Sequence, residues 1–268
     1  MKLSIIGAAA ITLAIAPTVQ ANTISQAINT IGVYGEVVST PSSVSATDPY
    51  GSVSANGGNT TGGVGVTMTG VNKELWFTHL SANYAFGPPI NGGTISGTLN
   101  NVSSASASGS ANVSGHSMAF NARIGKLFAI GENAAVGPYF AYQYADFKAG
   151  LNSATARYRN NAVGGGVFGA LVVSSRLSMT GHLGYLAGIS STASASDYYG
   201  SYSVKNPPSS GVLQIGAKVD YRFAQEWSVF GGLDYDRYTA SYSYVPYALN
   251  ANATINDIRG IVGMAYHF

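Results

Sequence analysis

The last eleven residues of the chain, Ile258 to Phe268, alternate without a break. Ile258, Gly260, Val262, Met264, Tyr266 and Phe268 share one face of an extended strand; Arg259, Ile261, Gly263, Ala265 and His267 share the other. The same two-residue period recurs upstream. Leu213, Ile215, Ala217, Val219, Tyr221 and Phe223 oppose Gln214, Gly216, Lys218, Asp220 and Arg222, so that three charges stand at consecutive positions on one side. Trp227, Val229, Gly231, Leu233 and Tyr235 oppose Ser228, Phe230, Gly232, Asp234 and Asp236. Leu177, Met179, Leu183, Tyr185, Ala187 and Ile189 oppose Ser178, Thr180, His182 and Gly184. One face of each strand suits hydrocarbon and the other is polar or ionic.

The connections alternate in length. Short turns fall near Gly131-Glu132-Asn133, Ser174-Ser175 and Ala224-Gln225, and long polar stretches at about 39–63, 87–114, 191–209 and 244–253. Dyad alternation with long and short connections in turn is the pattern of a transmembrane β-barrel. The backbone supplies the reason. Hydrocarbon offers no partner for N–H and C=O groups, so strands cross a membrane only if the sheet closes on itself. The expected fold is therefore an all-β, antiparallel, up-and-down barrel with long outer loops and short periplasmic turns. Strands are expected near 31–38, 64–71, 75–86, 116–129, 135–148, 155–173, 176–190, 211–223, 227–243 and 254–268, which makes ten. Losing the 64–86 pair would leave eight, and a hairpin at Thr94 to Leu99 would raise the count to twelve. Facing is ambiguous in 135–148 and 155–173; in the first, Phe140, Tyr142 and Tyr144 are expected outward because the other register puts Gln143 into lipid.

Composition agrees. Charged residues are 9% of the chain, against roughly 25% in a soluble domain. The 46% apolar share is dispersed along the chain rather than blocked. Eleven per cent aromatic residues and so few charges argue against disorder. A net charge of +2 makes no electrostatic case for nucleic acid. With no cysteine, disulfides, thiolate metal sites and thiol nucleophiles are excluded. Met1 to Ala21 carries Lys2, an apolar run from Leu3 to Ala16, a break at Pro17 and a small residue at its end, the layout of a secretory signal peptide cut before Asn22. The run is shorter than the ~20 residues that span a bilayer as a helix. The expected organisation is a signal peptide over 1–21, a short lead over 22–30 and a barrel domain over 31–268.

On these features the chain resembles the small Gram-negative outer-membrane β-barrels, with the OmpA-type and opacity-type barrels nearest in size. The terminal Met264-Ala-Tyr266-His-Phe268, preceded by Val262, resembles the carboxy-terminal insertion signal of that class. The resemblance implies a bacterial outer-membrane location, contact with outer-membrane lipid and lipopolysaccharide, and handling by the outer-membrane assembly machinery. Autotransporter translocators look similar, but they normally carry twelve strands and an upstream passenger, which this sequence does not show.

The inward faces carry the candidate site. Glu36, Arg123, Lys218, Asp220, Arg222, Asp234, Asp236 and Arg259 are expected in the lumen, four acids and four bases, together with His79, His182 and His267. Balanced charge points to mutual pairing rather than an ion-selecting ring. The small inward residues Gly184, Gly216, Gly232, Gly263 and Ala265 leave room for free volume, so a packed lumen and a narrow pore both stay open.

An enzyme is the weaker expectation. Ten-stranded barrels include the omptin proteases, whose site, as that family implies, uses paired Asp residues and an Asp-x-His near the rim. No Asp-x-His is present here. His182 with Ser178 and His79 with Ser81 are the pairs a barrel hydrolase would draw on, in a serine-rich chain where such neighbours arise by chance. His116 falls near the outer rim. Gly164-Gly-Gly-Val-Phe-Gly169 fits G-x-G-x-x-G in letters only, since no helix can start there. The four His residues are scattered, so no metal or cofactor is expected.

Trp76, Tyr84, Phe86, Trp227, Tyr266 and Phe268 fall near strand ends, as interface girdles do. Tyr198, Tyr199, Tyr202, Tyr242, Tyr244 and Tyr247 are the candidate contacts of the last two outer loops, because tyrosine gives large contact area at low entropy cost. An equally simple reading is that these strands extend above the membrane. The leading functional expectation is a non-enzymatic outer-membrane protein whose loops meet an extracellular partner. A narrow porin is the alternative.

Overall fold

The computed structural model describes residues 23–88, 93–99, 103–109, 114–130, 132–151, 154–197, 200–205, 209–244 and 249–268. The candidate signal peptide lies outside them. In chain order the elements are the helix α1 (Thr23–Ile28), then β1 (Thr30–Ser39), β2 (Ser42–Asp48), β3 (Gly51–Gly57), β4 (Thr60–Val71) and β5 (Trp76–Ala85). There follow β6 (Gly93–Leu99), β7 (Ser103–Gly109), β8 (Ser114–Lys126), β9 (Phe128–Ile130), β10 (Ala134–Leu151) and β11 (Ala154–Val172). The last are β12 (Leu177–Asp197), β13 (Gly200–Lys205), β14 (Ser209–Arg222), β15 (Trp227–Tyr244) and β16 (Leu249–His267).

Ten of these form the wall, hydrogen-bonded in the order β1-β4-β5-β8-β10-β11-β12-β14-β15-β16, every pair antiparallel. The ring closes where β1 meets β16, from Thr30 opposite His267 to Ser39 opposite Ile258. Closure gives every wall strand two neighbours, which is what a non-aqueous solvent demands. The ten expected strands map one to one onto these ten.

Exposure runs opposite to that of a water-soluble protein. Val262 is 72% exposed and Leu233 68%, while Gln143 and Gln214 on inward faces are 1% and 0% exposed. An apolar patch of this extent has no place in water; in lipid it is the natural outer surface. Phe140 is exposed and Gln143 buried, so the preferred register of β10 holds. Trp76, Trp227 and Phe268 mark the lower girdle, with Trp227 edge-on to Tyr266 at 5.5 Å. Tyr84, Phe86 and Tyr185 mark the upper one. From Trp227 to Tyr235 on β15 the chain advances roughly 27 Å, or about 20 Å along the normal at a tilt of ~40°. That is close to the apolar band of an outer-membrane barrel.

Two expectations need correction. The polar stretches at 39–63, 87–114 and 191–209 are not plain loops. β2 pairs the outer end of β16, β3 pairs β2, β6 pairs β3 and β7 pairs β6, so the sheet continues beyond the wall. The Thr94–Leu99 segment belongs to this extension and adds nothing to the ring. β13 folds back on β12 in the same way. Ser and Thr beside Val in alternation pair well as strands even without an apolar face to bury. The lead at 22–30 is also more than a connector, since Thr23–Ile28 is helical and sits in the barrel.

Candidate functional site

The lumen is filled in layers. At the periplasmic end, Ile24 and Ile28 of α1 are buried in one cluster with Val71, Phe77, Leu127, Ala135 and Val172. Asn29 fastens the helix to β4: its Nδ2 donates to the Val71 carbonyl at 3.1 Å and its Oδ1 accepts from the Val71 N–H at 2.5 Å. Arg222 donates to the Gln26 carbonyl at 2.8 Å and approaches His267 Nδ1 at 2.6 Å. Arginine can only donate, so Nδ1 accepts and the proton of His267 sits on Nε2. That Nε2 faces Ser228 Oγ at 3.0 Å and Asp220 Oδ1 at 3.3 Å.

The next layer holds His79, Arg123, His182, Lys218 and Asp234 around a cavity of about 60 Å³. Arg123 Nη2 lies 3.0 Å from His182 Nε2, which must accept. The 3.9 Å approach of Asp234 to the same nitrogen is therefore not an ion pair. His79 Nδ1 bonds Thr69 Oγ1 at 3.0 Å. Lys218 Nζ stands 5.0 Å above the Phe230 ring, a cation–π arrangement.

Above this, Arg259 bonds Asp257 and lies 3.8 Å from Asp236. Gln143 Nε2 donates to Asp236 Oδ2 at 2.9 Å and Tyr238 Oη at 2.8 Å. Gln214 donates to Asn121 at 3.0 Å, and Asn83 donates to Glu36 at 3.0 Å. Glu36 thus finds an amide rather than Arg259.

All eight expected lumen residues point inward, but the partners differ from simple cross-strand pairs. Asp257, Gln143, Gln214, Asn83 and Asn121 complete the network. Asp257 lies two residues before Arg259 on the same face, so extending that strand's alternation would have found it. The amides carry no charge and stand out only by inward position. Among the described residues the small inward positions are not open space. A Cβ at Gly216 would strike Asp234 and His182, one at Gly184 would strike Tyr139, and one at Gly263 would strike Phe230. Neighbouring large side chains occupy the room that these residues leave.

His116 is outside the lumen, stacked on Tyr84 at 5.4 Å. Ser178, His182 and Asp234 lie within the packed interior, where 60 Å³ holds about two waters at ~30 Å³ each. Among the described residues no group of three His, Cys, Asp or Glu has the arrangement of a metal site. Gly164 and Gly166 lie mid-strand in β11, where the facing backbone of β12 comes too close for a Cβ.

Just beyond the upper girdle the outer surface becomes ionic. Asp146 on β10 is bound by Arg157 and lies 3.5 Å from Arg159 Nε; Tyr144 Oη donates to it at 3.3 Å. Burial pushes the Asp146 carboxyl up, but the Arg157 hydrogen bond and the charges of both arginines outweigh it and hold the group below its ordinary range. Of the candidate tyrosines, Tyr242 and Tyr244 lie at the outer end of β15 and Tyr202 in β13. Tyr198, Tyr199 and Tyr247 fall outside the described residues.

No protein-family model and no curated protein matches this sequence. Among solved structures, the outer-membrane protease OmpT of Escherichia coli superposes with a TM-score of 0.67 at 11% identity, over 90% of this chain and 97% of that one. Ail, the attachment invasion locus protein of Yersinia pestis, aligns at 0.30 and 12% identity, over 88% and 99%. The translocator domain of the autotransporter NalP of Neisseria meningitidis aligns at 0.32 and 15%, over 98% and 93%. The first of these likenesses establishes the fold: the chain is built as an outer-membrane β-barrel.

Proposed function

We propose that this outer-membrane β-barrel is a non-conducting, non-enzymatic membrane protein that presents its outer hairpins to an extracellular partner. The observation that carries the reading is the filled lumen, blocked by α1 below and by the Gln143–Asp236–Tyr238 layer above. A barrel with no through-passage has its outer face left for function. That face is built of paired strands, β2-β3-β6-β7 and β12-β13, rigid enough to present side chains at low entropy cost. His182 and Asp234, 3.9 Å apart, line a cavity of only about 60 Å³, too small for a peptide, which favours this reading over the proteolysis for which OmpT is named.

In the same proposal, residues 1–21 are removed on export and the Val262, Met264, Tyr266, Phe268 face is read by the assembly machinery. Lys148, Arg157 and Arg159, on the outer surface beside Tyr144, meet the phosphates of lipopolysaccharide. Guanidinium groups suit phosphate oxygens through paired N–H donors.

The test is single-channel conductance of the refolded protein, with folding checked first by its heat-dependent gel shift. Silence is the expected result; discrete, reproducible openings would replace the proposal with a narrow porin. The interaction half is tested on cells. Replacing 193–207 by a tight turn should lower adhesion to host or neighbouring cells while the barrel still assembles, and undiminished adhesion would remove the outer hairpin from the reading.

A further inference from the structure

Above the upper girdle the two faces of the wall exchange character. On β10 and β11 the outward positions become Asp146, Lys148, Arg157 and Arg159, while the inward ones become Phe147 and Tyr158. Within the membrane the order is apolar outside and polar inside; here it is ionic outside and apolar inside. That is the pattern of a water-soluble β-barrel, whose interior is either packed or holds one small ligand. This one is not fully packed. A half-open well of about 250 Å³ lies at the outer mouth. Half-buried Tyr158 lies on its wall with Ile255, Ala240 and Ala253, and Phe147 and Tyr238 are buried beneath it. The Phe147 ring meets Tyr238 edge-on at 5.0 Å and stacks with Tyr158 at 6.4 Å. Beneath, the Tyr238 hydroxyl is taken up by Gln143, which closes the floor of the well.

Size and lining select the occupant. An apolar cavity of ~150 Å³ holds benzene, so a well of about 250 Å³ admits one aromatic ring with a short substituent. The Tyr158 ring on the wall favours an aromatic occupant, through offset or edge-on contact. The scarcity of polar groups in the lining disfavours sugars and ions. We infer that the outer mouth is a binding site for a small, uncharged, single-ring aromatic compound taken up from the external medium. This goes beyond the proposed partner-binding role and does not depend on it.

The test uses the full barrel refolded in lipid nanodiscs, with para-fluorobenzyl alcohol as probe and fluorine NMR as readout. The wild type should give a saturable bound fraction above the linear partition into empty nanodiscs. Ala240→Trp, which fills the well, should abolish the saturable part and leave the partition unchanged. Ala253→Phe serves as a second filling variant should the first fail the heat-dependent gel shift. Phe147→Ala, which enlarges the well, should shift preference toward a two-ring probe. Partition alone in the wild type, or an undiminished saturable fraction in a folded filling variant, would overturn the assignment. Conductance is not part of this readout, so failure here is distinct from failure of the closed-lumen reading.

Discussion

Replacing Arg259 by alanine should destabilise the folded barrel by about 3–5 kcal/mol, the usual consequence of removing one partner from a buried ionic cluster. Arg259 is 6% exposed; it bonds Asp257, itself 1% exposed, and stands 3.8 Å from Asp236. Glu36 lies on the adjoining strand, held by Asn83. Without the guanidinium, Asp257 and Asp236 would lose the cation that they share in the barrel interior. The measurement is urea unfolding in lipid vesicles, followed by the gel shift. Adding Asp257→Asn to Arg259→Ala should return part of the loss, since it withdraws one of the stranded charges. A variant as stable as the wild type would mean that water reaches this layer, and the filled lumen would have to be given up.

Val262→Arg should cost about 2–4 kcal/mol in a bilayer, the price of a cation at the midplane of a barrel's lipid face. Val262 pairs Gly231, midway between Trp227 and Tyr235, and points away from the lumen. On a water-exposed surface the same change lies within about 0.5 kcal/mol of neutral. The position therefore separates a lipid-facing belt from an exposed apolar surface of any other kind. Thr239→Arg is the matched control: Thr239 is two residues beyond Arg237, above the girdle on the same strand, and should be close to neutral. Equal tolerance at both sites would contradict a membrane-embedded wall.

The fold was largely legible because lipid imposes a strict rule on strands. Every second residue must suit hydrocarbon, so Leu213 to Phe223 and Ile258 to Phe268 declare both their period and their facing. The site was legible only in outline. Alternation places Arg123, Lys218 and Asp234 in the lumen, but not around it. Which inward groups meet depends on the stagger between strands and on side-chain length across the barrel. Arg123 reaches His182, 59 residues away, and Gln143 reaches Asp236, 93 residues away. The helix at Thr23–Ile28 was illegible for a related reason. Six residues are too few for a helix to stand by propensity, and it forms where the barrel's end buries Ile24 and Ile28.

Local pattern carries the period, the apolar outer face and the polar inner one, with ten strands expected and eight or twelve left open, since these follow from one residue's relation to the next and to the solvent around it. The packing of strands against one another in space settles that the inward side chains stack in layers, that Arg259 gathers Asp257 and Asp236, and that the outer mouth turns apolar inside. Those outcomes depend on volume and distance between strands remote in the chain, and a small inward residue reads as empty space until the side chain that fills it is known.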